Sequence, residues 1–140
     1  MLLSINEIQK EVDKLVLKIG YPPHSINVFS APTNDGTPYI SFENEMYNYV
    51  SSERGYEFSR KITKSIDELL YWITSSFVSH ISFQYELEHR IPGRDGRRVA
   101  FPMIISLMAK MNKEWEIKAQ KEIDKTLSNA PYDDSLYLYI

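Results

Sequence analysis

The densest run of side chains able to do chemistry is Glu86, Glu88, His89, Arg90, Arg94, Asp95, Arg97 and Arg98. Guanidinium groups set this close could clamp a phosphate or a carboxylate, because their planar fork of donors suits two-point contact. The ligand of an Arg90–Arg98 clamp would be RNA or a phosphorylated molecule. The same arginines could instead pair with Glu86, Glu88, Asp95 and the adjoining helix ends, fixing a loop between two long helices. This structural reading is the better supported of the two. The chain holds 16 basic against 19 acidic residues, a net charge of −3, and no other basic run accompanies this one. That balance disfavours nucleic acid as a general partner without excluding a local basic patch.

His80, Glu86 and His89 are the groups on which a metal enzyme or a small hydrolase would draw. Glu86 and His89 have the spacing of one half of a di-iron helix pair, but such a centre needs that spacing twice, with further glutamates, and the second copy is missing. No Gly-x-Ser-x-Gly elbow is present, and Gly93 and Gly96 lack the Lys-Ser/Thr of a phosphate loop. The chain contains no cysteine, which removes disulfides, thiol catalysis and zinc–thiolate sites together. The residues point away from catalysis, a metal or a resident cofactor.

Tyrosine is the second anomaly, with ten in 140 residues, and the tail from Tyr132 to Ile140 sets three of them beside Asp133 and Asp134. Tyrosine gives a large, fairly rigid contact area with a polar tip, and acidic neighbours would steer a basic partner. Tyr47, Tyr49, Asp133, Asp134, Tyr137 and Tyr139 are therefore candidates for contact with a protein partner. Tyrosines in strands are equally at home as half-buried sheet residues.

These groups must be positioned by an α+β chain of one-domain size: an N-terminal helix, a four-stranded antiparallel meander, a long central helix and two further helices. Residues 4–19 carry an apolar stripe at helical spacing behind a Ser4/Glu7 capping box, with Gly20 and Pro22-Pro23 as the stop. From Ile26 to Arg60 the period falls to two. Ile26/Val28, Ile40/Phe42, Tyr47/Tyr49 and Tyr56/Phe58 mark four short strands, with Glu43, Asn48 and Glu57 expected on the wet face. Thr63 to His89 reads as the central helix, opened by a Ser65/Glu68 capping box. Residues 90–98 read as a loop, followed by helical material from Val99 to Met111. Pro102 means that this helix begins near Phe101 or is kinked. Asn112 suits the cap of a last helix bearing Trp115, Ala119, Ile123 and Leu127, which Pro131 ends. The tail after it alternates well enough for a strand, or could dock as an extension. The longest uncharged stretch, Leu69 to Tyr85, is interrupted by Ser, Thr, His and Gln and falls short of the roughly 20 apolar residues of a membrane span. The start turns acidic by Glu7 and has no basic-then-apolar leader pattern, so a cytoplasmic protein is expected.

Several of these segments together resemble one family. They are Ile8-Gln9-Lys10-Glu11-Val12-Asp13, Glu53-Arg54-Gly55, Asp67-Glu68-Leu69-Leu70-Tyr71-Trp72-Ile73 and Tyr85-Glu86-Leu87-Glu88-His89-Arg90, then Asp95-Gly96-Arg97-Arg98 with Phe101. Asn112-Lys113-Glu114-Trp115, Glu122-Ile123 and Pro131-Tyr132-Asp133-Asp134 complete the set. The chain resembles the immunity protein family numbered sixty-three of bacterial polymorphic toxin systems. The resemblance implies a non-enzymatic cytoplasmic protein that binds a cognate toxin domain and neutralises it. It carries over no catalytic residue, and Pro102 departs from it where an ordinary helix former is expected.

Overall fold

The computed structural model describes residues 1–137. The helices are α1 (Ile5–Leu17), α2 (Ile66–Glu88), α3 (Arg97–Met111) and α4 (Lys113–Asn129), and the strands are β1 (Tyr39–Ser41), β2 (Tyr47–Glu53) and β3 (Tyr56–Thr63). The chain divides into two compact units, Met1–Thr74 and the residues from Ser75 onward.

In the first unit, α1 begins at the predicted capping box: Glu7 N–H donates to Ser4 Oγ and Ser4 N–H to the Glu7 carboxylate. Ile8, Val12 and Val16 on its apolar stripe are fully buried. Among the described residues the sheet is an antiparallel meander in the order β1-β2-β3, with three strands rather than the four expected. The segment around Ile26 and Val28 is not a strand because α1 supplies what a ladder would. Gln9 Nε2 donates to the Ile26 carbonyl (2.8 Å), and Val28 N–H donates to Gln9 Oε1 (2.8 Å). The strand-like apolar pair is present, but its backbone groups are satisfied by one side-chain amide. An isolated bridge, Phe29 to Tyr39, links this stretch to the sheet.

Of the residues expected on the wet face, Glu43 and Glu57 are exposed, whereas Asn48 is buried. Its Nδ2 donates to the carbonyls of Glu43 and Met46 (3.1 Å each), fixing a turn in which Asn44 and Glu45 have positive φ. At the head of α2, Glu68 N–H donates to Ser65 Oγ as the capping box requires, while Ser65 N–H donates to Thr63 Oγ1.

In the second unit, the loop expected over 90–98 closes two residues early. Arg97 and Arg98 form the first turn of α3, because the Asp95 carboxylate accepts from Arg97 N–H (3.0 Å) and so serves the helix start. The helix thus begins ahead of Phe101 and carries an exposed Pro102 in its second turn. Asn112 caps α4 through Glu114 N–H, and Trp115, Ala119 and Ile123 are buried as their spacing predicts. Beyond Pro131 the described chain forms a short 3-10 turn, Asp134–Tyr137, and not a strand.

Candidate interaction sites

The polar node of the second unit is centred on Asp95, which is 1% exposed. Arg97 reaches it with Nε (3.1 Å) and Nη2 (2.8 Å). The same guanidinium donates to the carbonyls of Ala130 and Pro131, at 2.8 Å each. Asp95 also accepts from the Asp133 N–H (3.1 Å), and its own N–H donates to Asp134 Oδ1 (2.6 Å). Arg98 Nε donates to that same Asp134 oxygen (2.9 Å) while its guanidinium lies 4.5 Å from the Tyr132 ring centre. The Arg97 side chain holds the Asp95 carboxyl down at about 2, and the Asp133 N–H adds to the effect. Arg98 likewise lowers Asp134.

Beside this node the buried Glu86 accepts from Arg90 through Nε (3.1 Å) and Nη2 (3.2 Å). Gly96 lies against that carboxylate, and a Cβ built on it would sit 2.6 Å from Glu86 Cδ and Oε1. The glycine is there for space: its φ of −59° is open to any residue. Three of the four clustered arginines therefore hold carboxylates of the chain itself: Arg90 and Arg97 hold Glu86 and Asp95 within the cluster, and Arg98 holds Asp134 outside it. Arg94 is exposed and reaches Asp134 only through space. His89 is exposed and stacks on Tyr85 with ring centres 4.1 Å apart, and Gln84 donates to Glu88. His80, Glu86 and His89 do not converge, and no group of three His, Cys, Asp or Glu among the described residues could hold a metal ion.

The first unit offers a different surface. Tyr47, predicted as a contact residue, is 1% exposed, and its hydroxyl accepts from Leu3 N–H (2.6 Å); it is a core residue tying the N-terminus to β2. Tyr49 is half-buried and stacks on Trp72 (6.2 Å), with Lys61 Nζ over the other aromatic system at 5.5 Å. β3 carries a run of exposed apolar side chains, Tyr56 (72%), Phe58 (53%) and Ile62 (50%), while Leu17, Phe29 and Phe42 are exposed singly elsewhere in the unit. Beside them Arg60 donates to Asn48 Oδ1 (2.8 Å), to Glu43, and to both oxygens of Glu57 (2.9 and 2.7 Å). Arg60 thereby holds the Glu57 carboxyl below its ordinary value.

Asp133 is exposed and its carboxylate accepts from Ser135 N–H, whereas Asp134 is spent on Arg98 and Asp95. The side chain of Tyr137 and the whole of Tyr139 lie outside the described residues. Sequence reasoning missed Tyr132 and the Ala130 and Pro131 carbonyls as partners of the arginines, and missed β3 as the exposed strand. Their only signal was the recurrence of Tyr56, Phe58 and Ile62 beside Arg60, which reads equally well as a covered strand.

What both sites offer is contact: rings and aliphatic groups set beside charges already ordered by internal pairing. A family model described as immunity protein 63 matches residues 43–125, well over half of the chain. The chain belongs to the immunity protein 63 family. The match takes in β2, β3, α2, α3 and the Glu86–Arg98 node, and stops ahead of Tyr132–Asp134. No curated protein and no solved structure matches the chain. Among the described residues no helix is long and apolar enough to cross a membrane.

Proposed function

We propose that this chain is a cytoplasmic immunity protein that binds a cognate bacterial toxin domain and neutralises it by covering its working surface, with no chemistry of its own. Membership of the immunity protein 63 family carries this reading. The exposed part of β3 supplies the contact. Tyr56, Phe58 and Ile62 flank Arg60, whose geometry is fixed in advance by Glu43, Glu57 and Asn48. Large aromatic groups and an ordered arginine are what interface hot spots are made of, since little side-chain freedom is lost when they dock. A stable complex would bury on the order of 1,600 Å² in total, more than β3 alone presents. Asp133, Tyr49 and the tail tyrosines Tyr137 and Tyr139 are candidates for the remainder.

The test is co-expression with the cognate toxin domain, sought first in the reading frame immediately upstream of the gene. The native chain should restore growth and co-purify with the toxin. The double substitution Phe58→Ala/Ile62→Ala should lose both properties while the melting temperature stays within about 2 °C, because exposed side chains contribute little to folding. Full protection by the double variant would remove β3 from the interface, and failure of the native chain to protect would remove the reading itself.

A further inference from the structure

We propose that the segment 130–134 is a releasable strap over a docking site formed by Arg97, Arg98 and Phe101, and that this site takes an acidic, tyrosine-bearing peptide segment. The chain's own tail shows which ligand chemistry fits. The Tyr132 ring lies 6.3 Å from Phe101, with the guanidinium of Arg97 at 5.6 Å and that of Arg98 at 4.5 Å. Asp134 meets Arg98 Nε and the Asp95 N–H, and Asp133 N–H meets the Asp95 carboxylate. A ring between cations and a carboxylate two residues on is a two-point recognition pattern, worth more than either contact alone.

Release strands no charge in the interior. The most deeply buried partner, Asp95, keeps Arg97 through Nε, Nη2 and the backbone N–H, all supplied from within the start of α3. The pair that parts, Arg98 and Asp134, is already about one-third exposed on both sides, so each ion passes into water at small cost. Tyr132 is itself only half-buried. A segment outside the helices held by such contacts opens more readily than helices held by a core. Opening leaves Arg98 and the edge of Phe101 for a competing segment. That the competitor belongs to a protein partner rests on the proposed function; the peptide test below does not involve the toxin.

Two measurements on the full-length protein decide it. In hydrogen exchange, the amides of Asp95 and Asp133 report the strap directly, since both donate across it. They should exchange at least about tenfold faster than the amides of Met108 and Ala119 in the helices. Exchange of all four together would show that the strap does not open separately and would overturn the proposal. The second measurement titrates a fluorescein-labelled copy of residues 129–137 into the native chain and into Tyr132→Ala/Asp134→Ala, whose own strap is weakened. The peptide should bind the variant about tenfold or more tightly than the native chain, because the internal competitor is removed, and adding Arg98→Gln should abolish binding. Equal affinity for native chain and variant, binding indifferent to Arg98, or none to a variant with a native helical spectrum would each overturn it.

Discussion

Gly96 offers a steric test of the node. Replacing it with alanine adds one carbon whose ideal position is 2.6 Å from Glu86 Cδ and Oε1 and 2.9 Å from Oε2, well inside contact distance. The clashing atoms end a flexible side chain, so the cost depends on whether that end can move. Here it is held. The Glu86 side chain is 4% exposed and takes two hydrogen bonds from Arg90, so retreat means bending or breaking a largely buried ion pair. Overpacking of this kind costs about 1–3 kcal/mol. The backbone works the other way: φ −59°, ψ −25° is a conformation alanine prefers, and the loss of glycine's freedom in the unfolded chain returns about 0.4–1 kcal/mol. The net expectation is a loss of about 1–2 kcal/mol, or a fall in melting temperature of roughly 3–7 °C for a chain of this length. The discriminating assay is a double-mutant cycle by urea denaturation with Glu86→Ala, in which the clashing atoms are gone. In that background Gly96→Ala should be neutral or stabilising, giving a coupling of about 1–3 kcal/mol. An equal cost in both backgrounds, or no cost in the native one, would refute the account of Gly96 as a space reserved for the Glu86 carboxylate.

Acid should weaken the second unit through Asp95. Its folded-state pKa is depressed, so its contribution is complete above the ordinary value of 3.8 and is lost as pH falls toward about 2; urea midpoints between pH 6 and pH 2.5 should fall less steeply in Asp95→Asn than in the native chain, and identical slopes would count against it. Asp35, held at about 2 chiefly by Thr33, adds its own acid sensitivity, so the slope in Asp95→Asn should be reduced and not flat. Pro102→Ala should stabilise, on the order of 1–2 kcal/mol, by supplying the N–H that α3 lacks at an exposed position; a lowered melting temperature would show that the rigid ring is worth more than the missing bond.

What was legible in the sequence is what short-range chemistry decides. The Ser4/Glu7 box and the Asn112 cap each join residues two or three apart, and both formed as the spacing says. The apolar stripes of α1 and α4 are buried for the same reason. Errors came where a distant group intervened. Gln9 meets Ile26 and Val28 from 17 and 19 residues away and replaces a strand pairing. Asn48 is polar in a strand of alternating type, yet its side chain is consumed by two turn carbonyls and Arg60. Alternation divides a strand into faces without saying which face is covered, so Tyr47 could be a contact or a core residue until Leu3 was placed against it. A register shift between Ser51 and Ser52 further breaks the simple alternation of β3 against β2. At the arginine cluster, sequence proximity correctly suggested pairing with Glu86 and Asp95. It could not reveal Asp134, which lies 36 residues beyond Arg98.

The groups that look most functional in the sequence are thus largely the ones used up inside the fold. Clustered charges close to one another along a chain find each other first, and a buried carboxylate without its partner is too costly to keep for a ligand. A binding surface has to be sought among side chains that folding leaves outside; on the first unit these include Leu17, Phe29 and Phe42, and the run on one strand is Tyr56, Phe58 and Ile62. Their strand is also guarded. β3 is an edge strand, and edges that avoid indiscriminate pairing carry lysines and irregular register, as this one does with Lys61 and the shift opposite Phe58. The proposed contact therefore runs through side chains and not through an added strand. Phe58→Ala/Ile62→Ala should accordingly be far more damaging to toxin binding than any change confined to the β3 backbone edge.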